Sequence, residues 1–120
     1  MSISEARLKR LRQEVLEVAP DNALAIQAHG GVIVDVREES ERSGMSATGA
    51  VRLGRGFLEL KIEAAVPDLE TPIVLMCAGG ARSLYAADSL RRLGYRDVSS
   101  LAGGFEAWKA AGLPLSLIHI

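Results

Sequence analysis

Short apolar runs and amphipathic stretches alternate along this chain from about residue 20 onward. The runs at 32–36, 50–53, 73–76 and 98–101 are mostly aliphatic and continuous rather than alternating with polar residues. That is the pattern of strands covered on both faces. Between them, Leu58, Ile62, Ala65 and Val66 share one helical face and leave Glu59 and Glu63 for solvent. Ala86, Ala87, Leu90 and Leu93 form a second such face, with Gly94 placed to end the helix. Further helices are predicted from Pro20 to about Ala28, before Gly30-Gly31, and over 104–111, closed by Gly112 and Pro114.

Strand and helix in alternation predict an α/β domain, a mostly parallel sheet with helices on both faces. The first nineteen residues extend this body. Leu8, Leu11, Val15 and Val18 have helical spacing, Ser2 with Glu5 fits a capping box, and a short strand near 15–18 can follow. Residues 116–120 form a tail without turn or period signal.

The length of 120 residues accommodates one core, assigned here to residues 20–115. A net charge of −1 gives no footprint for nucleic acid or an anionic membrane. No apolar run reaches the roughly twenty residues of a membrane-spanning helix, and the start lacks the apolar centre of a secretory signal. The expectation is a cytoplasmic protein, where a lone thiol stays reduced. His29 and His119 lie far apart and suggest no metal cluster.

The one cysteine excludes an internal disulfide and opens the segment Cys77-Ala78-Gly79-Gly80-Ala81-Arg82-Ser83, directly after the strand at 73–76. In parallel sheets ligands bind beyond the carboxyl ends of strands, which is where this segment falls. Two glycines let the backbone curl and turn its N–H groups inward, and a helix begins at its exit. Those N–H groups, the positive end of the helix and the Arg82 charge all favour a thiolate over a thiol. Ser83 adds a hydroxyl that can cap the helix or donate into the ring. Glycine pairs beside an arginine are poor core material, so Cys77 reads as an accessible nucleophile rather than a packing residue.

The segment resembles the Cys-x-x-Gly-x-Arg-Ser loop of the rhodanese family in its single-domain form, matched by Cys77, Gly80, Arg82 and Ser83. Val34-Asp35-Val36-Arg37-Glu38 is similar to the family's Asp-Val-Arg signature. Leu101-Ala102-Gly103-Gly104-Phe105-Glu106-Ala107-Trp108, followed by Ala111-Gly112-Leu113-Pro114, resembles its closing segment. Where the family often has Gly-His-Ile-Pro-Gly-Ala, this chain has residues 44–50, one residue longer and without histidine or proline.

The resemblance implies a three-layer rhodanese-like domain with about five parallel strands. It also implies transfer of sulfane sulfur from thiosulfate or polysulfide to cyanide or a thiol, through a Cys77 persulfide. A protein persulfide is a further possible donor or acceptor. No cofactor and no metal are implied. Residues 78–83 would contact the substrate. Residues 55–59 resemble a piece of polysulfide-using relatives, as does the neutral loop.

Arg55 is a candidate second anion contact, set against a solvated arginine opening a helix. Arg82 could instead pair with a surface carboxylate, although its place in the loop favours a site role. Asp35 and Arg37 read as a structural ion pair or loop anchor, Trp108 as packing, and Gly103-Gly104 as a tight strand-to-helix turn. Two rival functions remain: a non-catalytic rhodanese-like binding or sulfur-relay module, and a cysteine phosphatase or arsenate reductase. The last two carry Cys-x5-Arg, a loop one residue longer than the one here.

Overall fold

The computed structural model describes residues 1–117. The tail at 118–120, including His119, lies outside the described residues. Seven strands run β1 (Leu16–Val18), β2 (Val32–Asp35), β3 (Met45–Ala47), β4 (Val51–Arg52), β5 (Ile73–Met76), β6 (Val98–Leu101) and β7 (Leu115–Leu117). Five helices run α1 (Ile3–Glu14), α2 (Pro20–Ala28), α3 (Leu58–Ala65), α4 (Arg82–Leu93) and α5 (Gly104–Ala110). Five strands form one parallel sheet in the order β1-β6-β5-β2-β4, while β3 and β7 make an antiparallel pair outside it.

Alternate residues of each central strand feed opposite cores. Ile73 and Leu75 of β5 join Leu11 of α1, Leu58 and Ile62 of α3, and Leu84 and Leu90 of α4. Val74 and Met76 face the other way, with Ala23 of α2 and Phe105 and Trp108 of α5. All four residues of β5 and of β6 are buried, as the continuous apolar runs require. Leu11, Val15 and Val18 of the N-terminal segment are buried in these cores, and β1 pairs with β6 at the sheet edge. Arg7 of α1 reaches Asp88 of α4 at 3.1 Å, where Arg91 and Arg92 also converge.

The helices end where the composition directs. Gly94 takes a left-handed φ of 115° at the end of α4. Two expected core positions are exposed. Leu93 lies at the last turn of α4 and is 50% exposed, and Ala65 gives its place to Val66, which leaves helical geometry and turns inward. The segment at 44–50, where the chain departs from the family's pattern, contains β3, entered through left-handed Ser43 and Gly44 and left through left-handed Gly49. β7 pairs with it, so Ser116 and Leu117 belong to a strand.

β2 sends its chain toward β4, and β5 sends its chain the opposite way, toward β6. The loops after these adjacent strands therefore diverge and leave a crevice at the carboxyl edge of the sheet. The β2 loop is held by a buried ion pair. Arg37 Nε and Nη2 donate to Asp35 at 3.0 and 2.8 Å, Ser46 Oγ donates to the same carboxylate, and the Arg37 guanidinium lies 4.0 Å from the Phe105 ring centre.

The β5 loop rests on the start of α5. Phe105 N–H donates to the Cys77 carbonyl at 2.7 Å, and Glu106 N–H to that of Ala78 at 3.2 Å. Only glycine fits at 104. Its φ is 61°, and a Cβ there would meet the Cys77 and Ala78 carbonyl oxygens at 2.5 and 2.6 Å. Gly104→Ala is therefore expected to cost about 3 kcal/mol, lowering Tm by about 10 °C in a thermal melt.

Candidate active site

Cys77 continues the alternation of Ile73 and Leu75, so its side chain points into the same core, beneath the first turn of α4. The expected accessible sulfur is thus not accessible: Cys77 is 1% exposed. Burial does not leave it without donors. Gly80, in a left-handed conformation with φ of 100°, directs its N–H onto Sγ at 3.1 Å. Ser83 N–H approaches at 3.4 Å, and the Ser83 hydroxyl lies 3.4 Å from Sγ. A thiol would donate to that hydroxyl oxygen, whereas a thiolate would accept from it.

Burial is the largest single influence on Cys77, and it raises the pKa. The Ser83 hydroxyl, the Ser83 and Gly80 N–H groups and the Arg82 charge oppose it. Together they bring the thiol below its ordinary value. The sulfur therefore sits among aliphatics on one side and hydrogen-bond donors on the other. Among the described residues, the N–H groups of Gly79, Ala81 and Arg82 have no protein partner, so the loop retains donors beyond those on Sγ.

Gly80 is also constrained, though less tightly than Gly104. A Cβ on it would meet Gly103 N at 3.1 Å, and its positive φ disfavours any other residue. The Gly103-Gly104 turn thus does more than connect strand to helix. It lets the N-terminus of α5 approach the outer, carbonyl side of the ring, while N–H groups line the inner side.

The predicted site residues are brought together unequally. Gly80 and Ser83 are buried against the sulfur, Ala78 and Arg82 are partly buried, and Gly79 and Ala81 are exposed. Ser83 donates its N–H to the sulfur, while its hydroxyl accepts from the Cys77 thiol and does not cap α4, which has no side-chain cap. Arg82 does pair with a carboxylate. Its Nη1 and Nη2 donate to Glu41 at 2.7 and 2.6 Å, while its charge still acts on Cys77. Arg55 reaches the same sheet edge through its N–H to the Val36 carbonyl, but its guanidinium donates to both oxygens of Glu59, at 2.9 and 2.8 Å. No described contact brings Arg55 to Cys77.

Sequence reasoning missed Glu41 and Ser100. Ser100 is a fully buried residue of β6, and its Oγ lies 2.7 Å from Ser83 Oγ. The two hydroxyls in the strand-like run Val98-Ser99-Ser100-Leu101 were the one available signal. With a thiolate at Cys77, Ser83 donates to sulfur and Ser100 donates to Ser83, so each bond strengthens the next. Ser100→Ala is expected to move the pH profile of Cys77 alkylation to higher pH and to slow the reaction at neutral pH about two- to fivefold. An unchanged profile in the folded variant would remove Ser100 from the site.

The rhodanese-like domain family matches residues 19–111. Thiosulfate sulfurtransferase GlpE of Pseudomonas fluorescens is 35% identical over 96 residues, covering 80% of this chain and 86% of that protein. Among solved structures, the polysulfide-sulfur transferase homodimer of Wolinella succinogenes is similar with a TM-score of 0.79 and 26% identity, over 93% of this chain and 85% of that one. A Rhodopseudomonas palustris protein described as a possible tyrosine phosphatase aligns with a TM-score of 0.86 and 28% identity, over 97% and 96%. A match across most of the chain, a relative 35% identical over 80% of it and the glycine-built cysteine loop agree, and the chain belongs to the rhodanese-like domain family.

Proposed function

We propose that the protein is a sulfurtransferase that carries sulfane sulfur on Cys77. The observation that supports this most is the convergence of Gly80 N–H, Ser83 N–H and the Ser83 hydroxyl on one sulfur at the head of α4. The names of the sulfurtransferase relatives point the same way.

In the first half-reaction the Cys77 thiolate bonds to the outer sulfur of thiosulfate or polysulfide. The donor's S–S bond breaks, and its electron pair leaves on sulfite or on a shortened polysulfide. The enzyme then carries a persulfide whose terminal sulfur is negative. The unpartnered N–H groups of Gly79, Ala81 and Arg82 are suited to stabilise that second sulfur. In the second half-reaction cyanide or a thiol attacks the terminal sulfur, and the Cys77 thiolate departs. This is covalent catalysis with ping-pong kinetics. Since the chain holds one cysteine, release to an external acceptor replaces resolution into an internal disulfide.

Entry to the buried sulfur passes through the loop. Gly79 is exposed and has no atom within 4 Å of its Cβ position, so the loop crest faces open space. With Ala78, Gly79, Gly80 and Ala81 neutral, Arg82 is the loop's one charged residue. That charge balance favours polysulfide or a protein persulfide over thiosulfate.

A phosphatase is the second reading, favoured by the Rhodopseudomonas palustris neighbour. Against it stand the four residues between Cys77 and Arg82, one fewer than the Cys-x5-Arg loop that encircles a tetrahedral oxyanion. Turnover of a phosphate ester without thiosulfate–cyanide or polysulfide activity would reverse the order. A non-catalytic binding module would take up no sulfur, whereas a sulfur-relay module would exchange it only with a protein partner.

On exposure to a donor, mass spectrometry is expected to show a gain of about 32 Da per sulfur on Cys77, discharged by cyanide. Cys77→Ser is expected to lose transfer by at least about a thousandfold. Full activity in the serine variant is incompatible with the proposal.

A further inference from the structure

The carboxylate of Glu41 occupies the hydrogen-bonding fork of Arg82, with Nη1 on Oε2 at 2.7 Å and Nη2 on Oε1 at 2.6 Å. It comes from the other loop of the crevice, the one that follows β2, and so spans the point where the two chains diverge. Its own loop holds it there. Residues Glu39–Glu41 form a single 3-10 turn in which the Glu38 side chain accepts the Glu41 N–H. In return Glu41 Oε2 accepts the Glu38 N–H at 2.9 Å. The next residue, Arg42, donates from Nη2 to the Arg37 carbonyl at 2.8 Å and is 8% exposed, which anchors the turn to the buried Asp35 pair. The Arg82 hydrogen bonds bring the Glu41 carboxyl down to about 2, so it is ionised at any working pH.

Arg82 is the loop's only charged residue, and a free guanidinium is the natural bidentate partner of an oxyanion. Here that fork is filled by the protein's own anion. We propose that Glu41 is a specificity-determining residue that holds Arg82 away from compact dianionic donors and so discriminates against thiosulfate. The inference rests on the sulfur-transfer reading and names the residue behind its donor preference. A dianion must either displace Glu41 from Arg82 or enter the crevice in the field of that carboxylate, with Glu38 and Glu39 beside it. Arg37 and Arg42 offset this only in part, because the single charge of Asp35 cancels one of their two. A donor with one charge fewer meets about half the repulsion. Both members of the pair are partly solvent-exposed, so the effect is modest and falls with salt.

The test compares two donors whose chemistry differs mainly in charge: thiosulfate, a dianion, and methanethiosulfonate, a monoanion. With either, the thiolate bonds to the outer sulfur, the donor's S–S bond breaks, and the electron pair leaves on sulfite or methanesulfinate. Rates of Cys77 persulfide formation are measured by mass spectrometry in wild type and Glu41→Gln, at low and at near-physiological salt. Glutamine keeps an oxygen for the Glu38 N–H, so the turn is preserved.

The thiosulfate rate is expected to rise about three- to tenfold at low salt and less at high salt, while the methanethiosulfonate rate changes less than about twofold. Equal changes with both donors, an unaltered or slower thiosulfate reaction, or loss of both reactions in the variant alone would overturn the role of Glu41 and leave the sulfur-transfer reading standing. Failure of wild type and variant to take sulfur from either donor or from polysulfide would overturn that reading, and this inference with it.

Discussion

A sulfur 1% exposed is tolerable as an anion only if hydrogen-bond donors replace the water it has lost. That constraint organises this end of the fold. Sγ takes donors from Gly80 and Ser83, while the carbonyls of Cys77 and Ala78 are occupied outside the ring. The N-terminus of α5 occupies them, through the N–H groups of Phe105 and Glu106. Glycine at 104 lets that helix come close enough, and glycine at 80 lets the ring close against it. One strand, two helices and two glycine positions therefore serve a single atom. Ser100 extends the arrangement into the sheet through Ser83.

The same logic explains how the rest of the domain supports the crevice. β5 and β6 are buried on both faces, so the edge from which the loop leaves is rigid. The β2 loop is tied down by Asp35, Arg37 and Arg42, charged groups that would be costly to bury singly; Asp35 accepts hydrogen bonds from Arg37 and lies 3.7 Å from Arg42 Nε. That loop presents Glu41 to the cysteine loop across the switch point. The charge balance at the mouth is thus shared by two segments far apart in the chain.

Much of this was legible in the amino-acid order. The continuous runs at 73–76 and 98–101 marked strands buried on both faces, and Gly94 marked the end of α4. The glycines after Cys77 marked a ring of N–H groups. The burial of Cys77 was also present in the alternation of Ile73, Leu75 and Cys77, but the glycine-rich loop suggested an open sulfur, and the alternation was not carried one step further. Glu41 could not be paired with Arg82 from spacing, because the pairing depends on which strands are neighbours. Ser100 looked like a gap in an aliphatic strand until β6 was set beside α4. β3 escaped because its three residues owe their pairing to β7, at the far end of the described chain.

The central claim is that converging donors outweigh burial at Cys77. Titration of its thiolate absorbance in the wild-type protein, with Cys77→Ser as the blank, tests it most directly. The account predicts a midpoint below the roughly 8.5 of an ordinary thiol. A midpoint at or above that value would mean that burial wins, and the arrangement described here would not generate a nucleophile.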